Sequence, residues 1–273
     1  MKDIFYRSVK RIKESAQLAC LGETYGEKVR VFFFLLLRSV KHSFISEEKL
    51  IQDKTFLLKN NGVSFSLSCF GTHAEFMLIK EVFVERVYRI ATPIEPEYII
   101  DCGANIGITT LYFHTQFPKA HIIALEPNPE LFTLLMKNVE HIKNITPVCA
   151  AVGGHDGVTE FYLDPQSYVS SSLIKRSDQS TPVSVNIYSL QGIAQKYALP
   201  HIDIIKFDIE GAEYDMFRAY SRKSTVNIAV GEIHPDLMKA SLEEFVELFK
   251  DDFEVTVSPS RKEGRSIMYA TRK

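Results

Sequence analysis

The sequence predicts a mixed α/β fold in which an N-terminal appendage of helices and a β-hairpin precedes an open, mostly parallel sheet. After residue 97, short apolar runs alternate with amphipathic stretches, a rhythm typical of parallel strands joined by helical crossovers. The last two apolar runs, FEVTV and SIMYA, are separated by the short polar segment SPSRKEGR. A connection of that length favours a hairpin, and therefore one antiparallel strand in the sheet.

The appendage is predicted to cover residues 1–95. Residues 1–51 have a weak helical pattern. The segment KTFLLKNNGVSFSLSCF then indicates a β-hairpin, because the letters NNG place turn-forming residues between two nearly alternating runs. Apolar residues at helical spacing predict a helix over residues 74–88. The segment ATPIEPE, residues 91–97, contains two prolines and is the natural boundary.

The second domain is predicted to cover residues 96–273 and to have a Rossmann-like arrangement. In such a sheet, ligands bind beyond the carboxyl ends of the strands, where the chain turns into the next helix. The expected strands are residues 98–102, 121–125, 146–152, 201–208, 226–233, 253–257 and 266–270. The expected helices are residues 106–117, 129–142, a stretch after Gly211, and residues 235–249.

Composition and charge restrict the class of protein. The 273 residues are 45% hydrophobic and 24% charged, as in an ordinary globular protein with a sizeable core. A net charge of −2 lacks the basic excess of nucleic-acid-binding domains, so we expect no nucleic-acid partner. Four widely spaced cysteines without a C-x-x-C pair argue against a zinc site and a disulfide framework. They favour a reducing environment, and we expect a cytoplasmic location.

The apolar run VFFFLLL, residues 31–37, is too short to span a membrane. Its seven residues lie between Arg30 and Arg38, whereas a bilayer-crossing helix needs about 20. The run is interpreted as part of a core helix. Peripheral contact with a membrane or partner is the alternative, because basic residues flank aromatic and aliphatic ones. The N-terminus does not have the pattern of a secretory signal.

The segment YIIDCGANIG, residues 98–107, ends a predicted strand with an acid and continues into a glycine-containing turn. A dinucleotide fingerprint would read G-x-G-x-x-G and would seat a pyrophosphate. Here Gly103 and Gly107 are four residues apart with Asn105 between them, and Asp101 stands at the turn. A carboxylate beside a pyrophosphate is repulsive by roughly 1–4 kcal/mol per charge pair at 4 Å. The turn therefore favours a cofactor with positive groups, such as S-adenosylmethionine.

Glu126 is the second predicted element of the cofactor site. It ends the second strand of the domain, 25 residues after Asp101, where an acidic side chain can accept both ribose hydroxyls. Asn128 follows closely and is assigned to the same site. Each feature alone suits an ordinary strand end or turn, but their joint occurrence at adjacent strand ends favours a cofactor site.

Four segments resemble the signature segments of the FkbM family of S-adenosylmethionine-dependent O-methyltransferases: IIDCGANIG, ALEPNPELFTLLMKNV, AAVGGHDG and IDIIKFDIEGAEYDMF. The resemblance covers about residues 72–233, and its D-x-E-G-A-E segment is the most specific part. It implies a class I methyltransferase fold with a seven-stranded sheet and one antiparallel strand. It also implies methylation of a hydroxyl, often on a sugar, glycan or secondary metabolite. In YSLQGIAQKY, Gln191 stands where the family commonly has an acid.

The segment KFDIEGAE places candidate catalytic residues where the fourth strand ends. If the strand persists, alternation sends Lys206, Asp208 and Glu210 to one side. Two alternatives remain open. Asp208 or Glu210 acts as general base with Lys206 as electrostatic partner, or the acids bind a divalent metal that orients and acidifies the hydroxyl. Glu210 and Glu213 also suit a helix N-terminus, where the helix dipole favours acids.

The segment GEIHP, residues 231–235, ends the next strand and adds Glu232 and His234. A histidine of ordinary pKa is the natural proton acceptor for a hydroxyl at neutral pH. His234 is therefore a candidate catalytic residue, with packing before Pro235 as the alternative. Glu232 is a possible metal ligand beside Asp208 and Glu210.

The leading hypothesis is a methyltransferase that acts on a hydroxyl of a small molecule or glycan. A nucleotide-dependent oxidoreductase is disfavoured by the glycine spacing. A non-catalytic module of the same fold is disfavoured by the presence of six residues: Asp101, Gly103, Gly107, Glu126, Asp208 and Glu210. The identity of the acceptor and the oligomeric state are left open.

Overall fold

The computed structural model describes residues 2–41, 54–164, 171–262 and 264–273. The chain divides into two units, one formed by Met1–Val87 with Leu111–Gln116 and the other by Tyr88–Thr110 with Phe117–Lys273. The domain boundary after residue 95 stays a prediction.

The first unit has the helices and hairpin that the sequence predicts. The hairpin turns at Asn61 and Gly62, whose φ values of 47° and 81° suit a two-residue turn. A capping box between Thr72 and Glu75 starts the following helix, which continues as a π-helical segment and ends at left-handed Arg86. The elements are α1 (Lys2–Ala19), α2 (Tyr25–Lys41), β1 (Lys54–Asn60), β2 (Val63–Cys69), α3 (His73–Ile79) and the π-helical segment Lys80–Glu85. Residues 42–51 of the expected helical region lie outside the described residues.

The run VFFFLLL lies within α2. Val31 and Leu35 are buried, whereas Phe33 and Leu37 are exposed. Among the described helices, none combines the length and the apolar character needed to cross a bilayer. Peripheral membrane contact stays a prediction.

The remaining elements of the described residues include ten strands and five α-helices, and seven of the strands form the central sheet. In chain order they are β3 (Tyr98–Cys102), α4 (Ile108–Gln116), β4 (His121–Leu125), α5 (Pro129–Val139), β5 (Ile145–Val148), β6 (Ala151–Gly153), β7 (Gly157–Leu163), β8 (Thr181–Ser189), α6 (Leu190–Lys196), β9 (Ile202–Phe207), α7 (Glu213–Ala219), β10 (Val226–Ile233), α8 (Leu242–Glu247), β11 (Phe253–Pro259) and β12 (Ser266–Arg272). The sheet order is β11-β12-β10-β9-β3-β4-β5. β12 is antiparallel to both neighbours, and the other pairs are parallel. The predicted fold class is confirmed.

Two predicted elements differ from the structure. The single strand expected over residues 146–152 is divided, because the chain leaves the central sheet after β5 and enters a second sheet of order β6-β8-β7. The helix expected over residues 235–249 begins only at α8, since a capping box between Ser241 and Glu244 fixes its start. Residues between Pro235 and Ala240 form turns instead.

The order of the central strands positions the candidate site. β3 lies between β4 and β9, and β10 lies beside β9. Every residue of β9 is buried, as expected for a parallel strand covered on both faces. Because parallel strands end at the same edge, the segments after β3, β4, β9 and β10 meet there. All of the site residues described below belong to the second unit.

Candidate functional site

The turn after β3 is held close to the segment that follows β9. Gly103 has a φ of 78°, and a side chain there would clash with the backbone carbonyl oxygen of Asp208. The backbone N–H of Asp208 donates to the carbonyl of Cys102 over 3.1 Å. Glycine is therefore required at residue 103 for two reasons: the backbone is left-handed, and the Asp208 carbonyl lies too close for a side chain.

Glu126 organises the other side of this turn. Its Oε2 accepts the backbone N–H of Asn105 and its Oε1 accepts that of Asn128, each over 2.8 Å. Asn105 itself adopts a left-handed φ of 54°, a conformation that asparagine tolerates well. Asn128 also caps α5 by accepting the N–H of Glu130. Burial raises the pKa of Glu126 to about 7, although the two backbone N–H groups oppose this rise.

Asp101 and Lys206 form a buried ion pair beneath the turn. Lys206 Nζ lies 3.1 Å from Asp101 Oδ1, and the other carboxylate oxygen accepts the hydroxyl of Thr110 over 2.7 Å. Lys206 Nζ also donates to the carbonyl of Gly103 over 2.8 Å. Burial lowers the pKa of Lys206, but Asp101 together with Asp208 outweighs burial and the net shift is upward. Lys206 is therefore protonated, and its contacts tie β9 to the glycine turn.

The acids after β9 lie in a tight turn and not in a continued strand. β9 ends at Phe207, so the alternation expected through Glu210 does not hold. Glu210 has a left-handed φ of 53°, which is uncommon for a residue other than glycine and is found often at functional sites. Burial raises the pKa of Asp208, whose side chain is 27% exposed. Asp208 is therefore more exposed than Glu210, Glu213 and Glu232.

His234 lies fully buried among four carboxylates. Its Nδ1 is 2.7 Å from Glu213 Oε1. Its Nε2 lies 3.2 Å from Glu210, 3.3 Å from Glu232 and 3.6 Å from Asp208. Burial lowers the pKa of His234, but the carboxylates of Glu213 and Glu232 outweigh burial and raise it to about 10. In this arrangement both ring nitrogens hold a proton at neutral pH, so His234 would have to lose one before it could act as a proton acceptor, and that role stays a prediction.

Two arginines compensate the charges of Glu210 and Glu232. Arg176 contacts Glu210 Oε2, and Arg265 lies 3.2 Å from the same oxygen and 3.4 Å from Glu232 Oε2. Glu232 also accepts the hydroxyl of Ser260. Burial alone would raise the pKa of both acids. For Glu210, the charges of His234 and the two arginines outweigh burial, and the net shift is downward. For Glu232, the contacts with His234 and Ser260 outweigh burial and lower the pKa to about 2.

Comparison with known proteins identifies a family that matches the part of the chain containing this site. The family described as "Methyltransferase FkbM domain" matches residues 101–251, which is more than half of the chain. The chain belongs to the FkbM methyltransferase family. The matched region begins at Asp101 and includes the glycine turn, Glu126 and the whole acid–histidine cluster.

Named relatives of this FkbM-family chain are methyltransferases. "Methyltransferase 1" of Beauveria bassiana is 29% identical over 161 residues, covering 51% of this chain and 64% of that protein. "Hexuronic acid methyltransferase AglP" of Haloferax volcanii is 26% identical over 144 residues, covering 51% and 57%. "31-O-demethyl-FK506 methyltransferase FkbM" of Streptomyces tacrolimicus is 24% identical over 169 residues, covering 50% and 65%. The matched region spans less than two thirds of the length of each of these three relatives.

The structure brings most sequence-predicted residues of the FkbM-family site together in two groups. Asp101, Gly103, Asn105, Gly107, Glu126 and Asn128 surround the turn after β3, while Asp208, Glu210, Glu232 and His234 form the cluster after β9 and β10. Lys206 is the exception. It was expected beside the catalytic acids, but it pairs with Asp101 because it still points from β9 beneath the turn. Asp101 likewise lies under the turn, fully buried, and not at its surface.

Three residues of the cluster were not among the sequence-predicted site residues. Glu213 binds His234 and also accepts the backbone N–H of Gly211, so it fixes both the imidazole and the turn. Arg176 and Arg265 come from distant segments of the chain. The spacing of D-x-E-G-A-E offered a signal for Glu213, whereas no local pattern marks either arginine.

Proposed function

We propose that this chain transfers the methyl group of S-adenosylmethionine to a hydroxyl of a sugar, glycan or secondary metabolite. The observation that carries the proposal is the packing of Gly103 against the Asp208 carbonyl. The glycine turn and the segment that begins with Asp208 are therefore adjacent, which supports a shared site for cofactor and acceptor. Family membership supports methyl transfer, and the names of the Haloferax and Streptomyces relatives support an oxygen acceptor on a sugar acid or a secondary metabolite.

The residues of the turn suit S-adenosylmethionine better than a diphosphate cofactor. The charge of Lys206 is compensated by Asp101, so Glu126 is left as the dominant charge at the turn. Both oxygens of Glu126 are oriented by backbone N–H groups, which leaves them further lone pairs for two ribose hydroxyls. A pyrophosphate would meet this carboxylate with repulsion. The anionic element that favours the methyl donor is therefore Glu126, with Asp101 acting indirectly through Lys206.

The chemistry requires alignment and removal of one proton. S-adenosylmethionine supplies an electrophilic methyl group, so the C–O bond forms as the C–S bond breaks and the hydroxyl proton leaves. Holding the acceptor in line can supply roughly 7–11 kcal/mol of the barrier, and base assistance a factor of about 10² to 10⁴. Asp208 is the most accessible carboxylate of the cluster and adjoins the turn, so we assign it the contact with the acceptor hydroxyl.

The test separates cofactor binding from turnover. Calorimetry should show heat with S-adenosylmethionine and with S-adenosylhomocysteine, and none with NADH. Incubation with a panel of hexoses, uronic acids and polyketide alcohols should then give a methylated product by mass spectrometry. Asp208→Asn should bind S-adenosylhomocysteine with unchanged affinity and lose about 10² to 10⁴ in turnover.

Two results would contradict the proposal. Uptake of NADH without uptake of S-adenosylhomocysteine would favour an oxidoreductase. Binding of S-adenosylhomocysteine with no methyl transfer to any acceptor would favour a non-catalytic module. Normal turnover by Asp208→Asn would be compatible with methyl transfer but would show that Asp208 has no part in its mechanism.

A further inference from the structure

Three side chains of the cluster are arranged like the ligands of a metal ion. Asp208, Glu210 and His234 each offer one ligand atom, and these atoms lie within 4.8 Å of one another. His234 Nε2 is 3.2 Å from Glu210 Oε2 and 3.6 Å from Asp208 Oδ1. Neighbouring ligands of a six-coordinate ion with bonds of about 2.1 Å are about 3 Å apart. The two distances from His234 Nε2 exceed that spacing by less than 1 Å, and the separation between the two carboxylate oxygens is at most 4.8 Å.

The orientation of His234 is an independent indication. The side chain is fully buried, and its Nε2 faces the carboxylates but makes no hydrogen bond with any residue that the structure describes. Its Nδ1 is engaged by Glu213 over 2.7 Å. A carboxylate on one ring nitrogen is the usual partner of a histidine whose other nitrogen binds a metal, because it fixes the tautomer and the ring.

We propose that Asp208, Glu210 and His234 bind a divalent cation that takes the place of the proton on His234 Nε2, with Glu213 as the positioning residue for His234. The ligand set mixes carboxylates, which suit Mg²⁺ and Mn²⁺, with an imidazole, which suits transition metals. Mn²⁺ meets both preferences and is the probe of choice. The sequence suggested Glu232 as the third ligand. In the structure His234, and not Glu232, belongs with Asp208 and Glu210 to the group whose ligand atoms all lie within 4.8 Å of one another.

Arg176 competes with the cation for the same oxygen. Its guanidinium contacts Glu210 Oε2, the oxygen that faces His234 Nε2. Arg265 reaches both oxygens of Glu210 and also Glu232, so it can compensate these acids without that one contact. Cation binding therefore requires Arg176 to leave Glu210. Removing the guanidinium should strengthen cation binding, an effect opposite to that expected for a residue that merely stabilises the cluster.

The inference deepens the proposed function, on which its catalytic meaning rests. A cation beside Asp208 would hold the acceptor hydroxyl and lower its pKa. The site itself can be tested without a known acceptor. S-adenosylhomocysteine binding, measured separately, reports on the glycine turn and distinguishes failure of the cation site from failure of the proposed function.

The experiment titrates the full chain, freed of metals by chelation, with Mn²⁺. Electron paramagnetic resonance of free Mn²⁺ and calorimetry should give one bound ion per chain. Asp208→Asn and His234→Gln should weaken binding by about tenfold or more, and Glu213→Gln by about 10- to 100-fold. Glu232→Gln removes one negative charge from the same cluster without removing a proposed ligand, so it should weaken binding by less than Asp208→Asn does. Arg176→Gln should bind Mn²⁺ several-fold more tightly.

Each outcome decides the proposal. Absence of stoichiometric Mn²⁺ binding by the native chain overturns it, as does equal loss in Glu232→Gln and Asp208→Asn, which would indicate a general effect of negative charge. Weaker binding by Arg176→Gln would also oppose it. Unchanged S-adenosylhomocysteine affinity shows that a variant is folded. Asp208→Asn, at a partly exposed position, provides the decision if His234→Gln does not fold.

Discussion

At the scale of single residues, Glu126 lies in an environment that brings its pKa close to neutral pH. It lies at the end of β4 with each carboxylate oxygen bound to one backbone N–H. Burial raises its pKa from 4.5 to about 7. A small change in pH or in its hydrogen-bond partners therefore changes its charge.

The first prediction concerns cofactor affinity and pH. Ribose hydroxyls that donate to Glu126 favour the ionised form, so affinity should rise as the pH rises through the pKa of about 7. Between pH 6 and pH 8 the dissociation constant for S-adenosylhomocysteine should fall by about tenfold. The Glu126→Gln variant should bind S-adenosylhomocysteine weakly, and its affinity should not depend on pH in this range. Calorimetry at three pH values measures both, and a flat profile for the native chain would remove Glu126 from the ribose contact.

The stability of the ligand-free chain should change in the opposite direction. Between pH 4.5 and about 7 the folded chain keeps a proton on Glu126 that the unfolded chain has released. This group therefore makes the folded state less stable as the pH rises through that window, by on the order of 3 kcal/mol, and the effect is complete above it. Glu126→Gln should remove this slope in urea unfolding. A slope that persists in the variant would have to come from other groups.

At the scale of elements, the turn after β3 depends on close backbone packing. Gly103 adopts φ 78° against the Asp208 carbonyl, and Lys206 donates to the Gly103 carbonyl. The turn is thereby fixed to the end of β9 from two sides. In contrast, Gly62 in the hairpin turn has nearly the same φ, 81°, but nothing within 4 Å of an added side chain.

Two glycine-to-alanine substitutions separate strain from collision. Gly62→Ala should cost only the left-handed strain of a non-glycine residue, about 1–2 kcal/mol of the free energy of unfolding. Gly103→Ala should cost more than this and should weaken S-adenosylhomocysteine binding, because the turn must move away from Asp208. Urea unfolding and calorimetry on both variants provide the comparison. Equal losses of stability with normal cofactor binding in Gly103→Ala would show that the contact with Asp208 is unimportant.

At the scale of the whole molecule, the fold could be predicted where local pattern and tertiary structure agree. Alternating apolar runs predicted all seven strands of the central sheet, and the short SPSRKEGR connection predicted the antiparallel strand β12. The sheet of β6, β7 and β8 was not predicted from the sequence. Its strands β7 and β8 are mostly exposed or half-buried, so their apolar pattern is weak. The division of residues 146–152 depends on which sheet accepts each half, and this is a long-range choice.

The candidate site could be predicted where its residues directly follow a strand. The acids and glycines follow strand ends and could be placed from strand order alone. The pairing of Lys206 with Asp101, and not with Asp208 or Glu210, depends on where β9 ends. Arg176 and Arg265 reach Glu210 from segments 34 and 55 residues away. Neither spacing nor periodicity carries that information, and the lowered pKa of Glu210 depends on it.

The last prediction joins the site to the stability of the chain. A ligand that binds only the folded state raises the free energy of unfolding, by about 2.7 kcal/mol at one hundred times its dissociation constant. For a domain of this size, that corresponds to a rise in Tm of roughly 5–10 °C. S-adenosylhomocysteine should produce this shift and NADH should not. Because every proposed contact lies in the second unit, hydrogen exchange should slow most at the amides of Asn105 and Asn128. Protection centred on α1 and α2 instead would place the ligand outside the glycine turn.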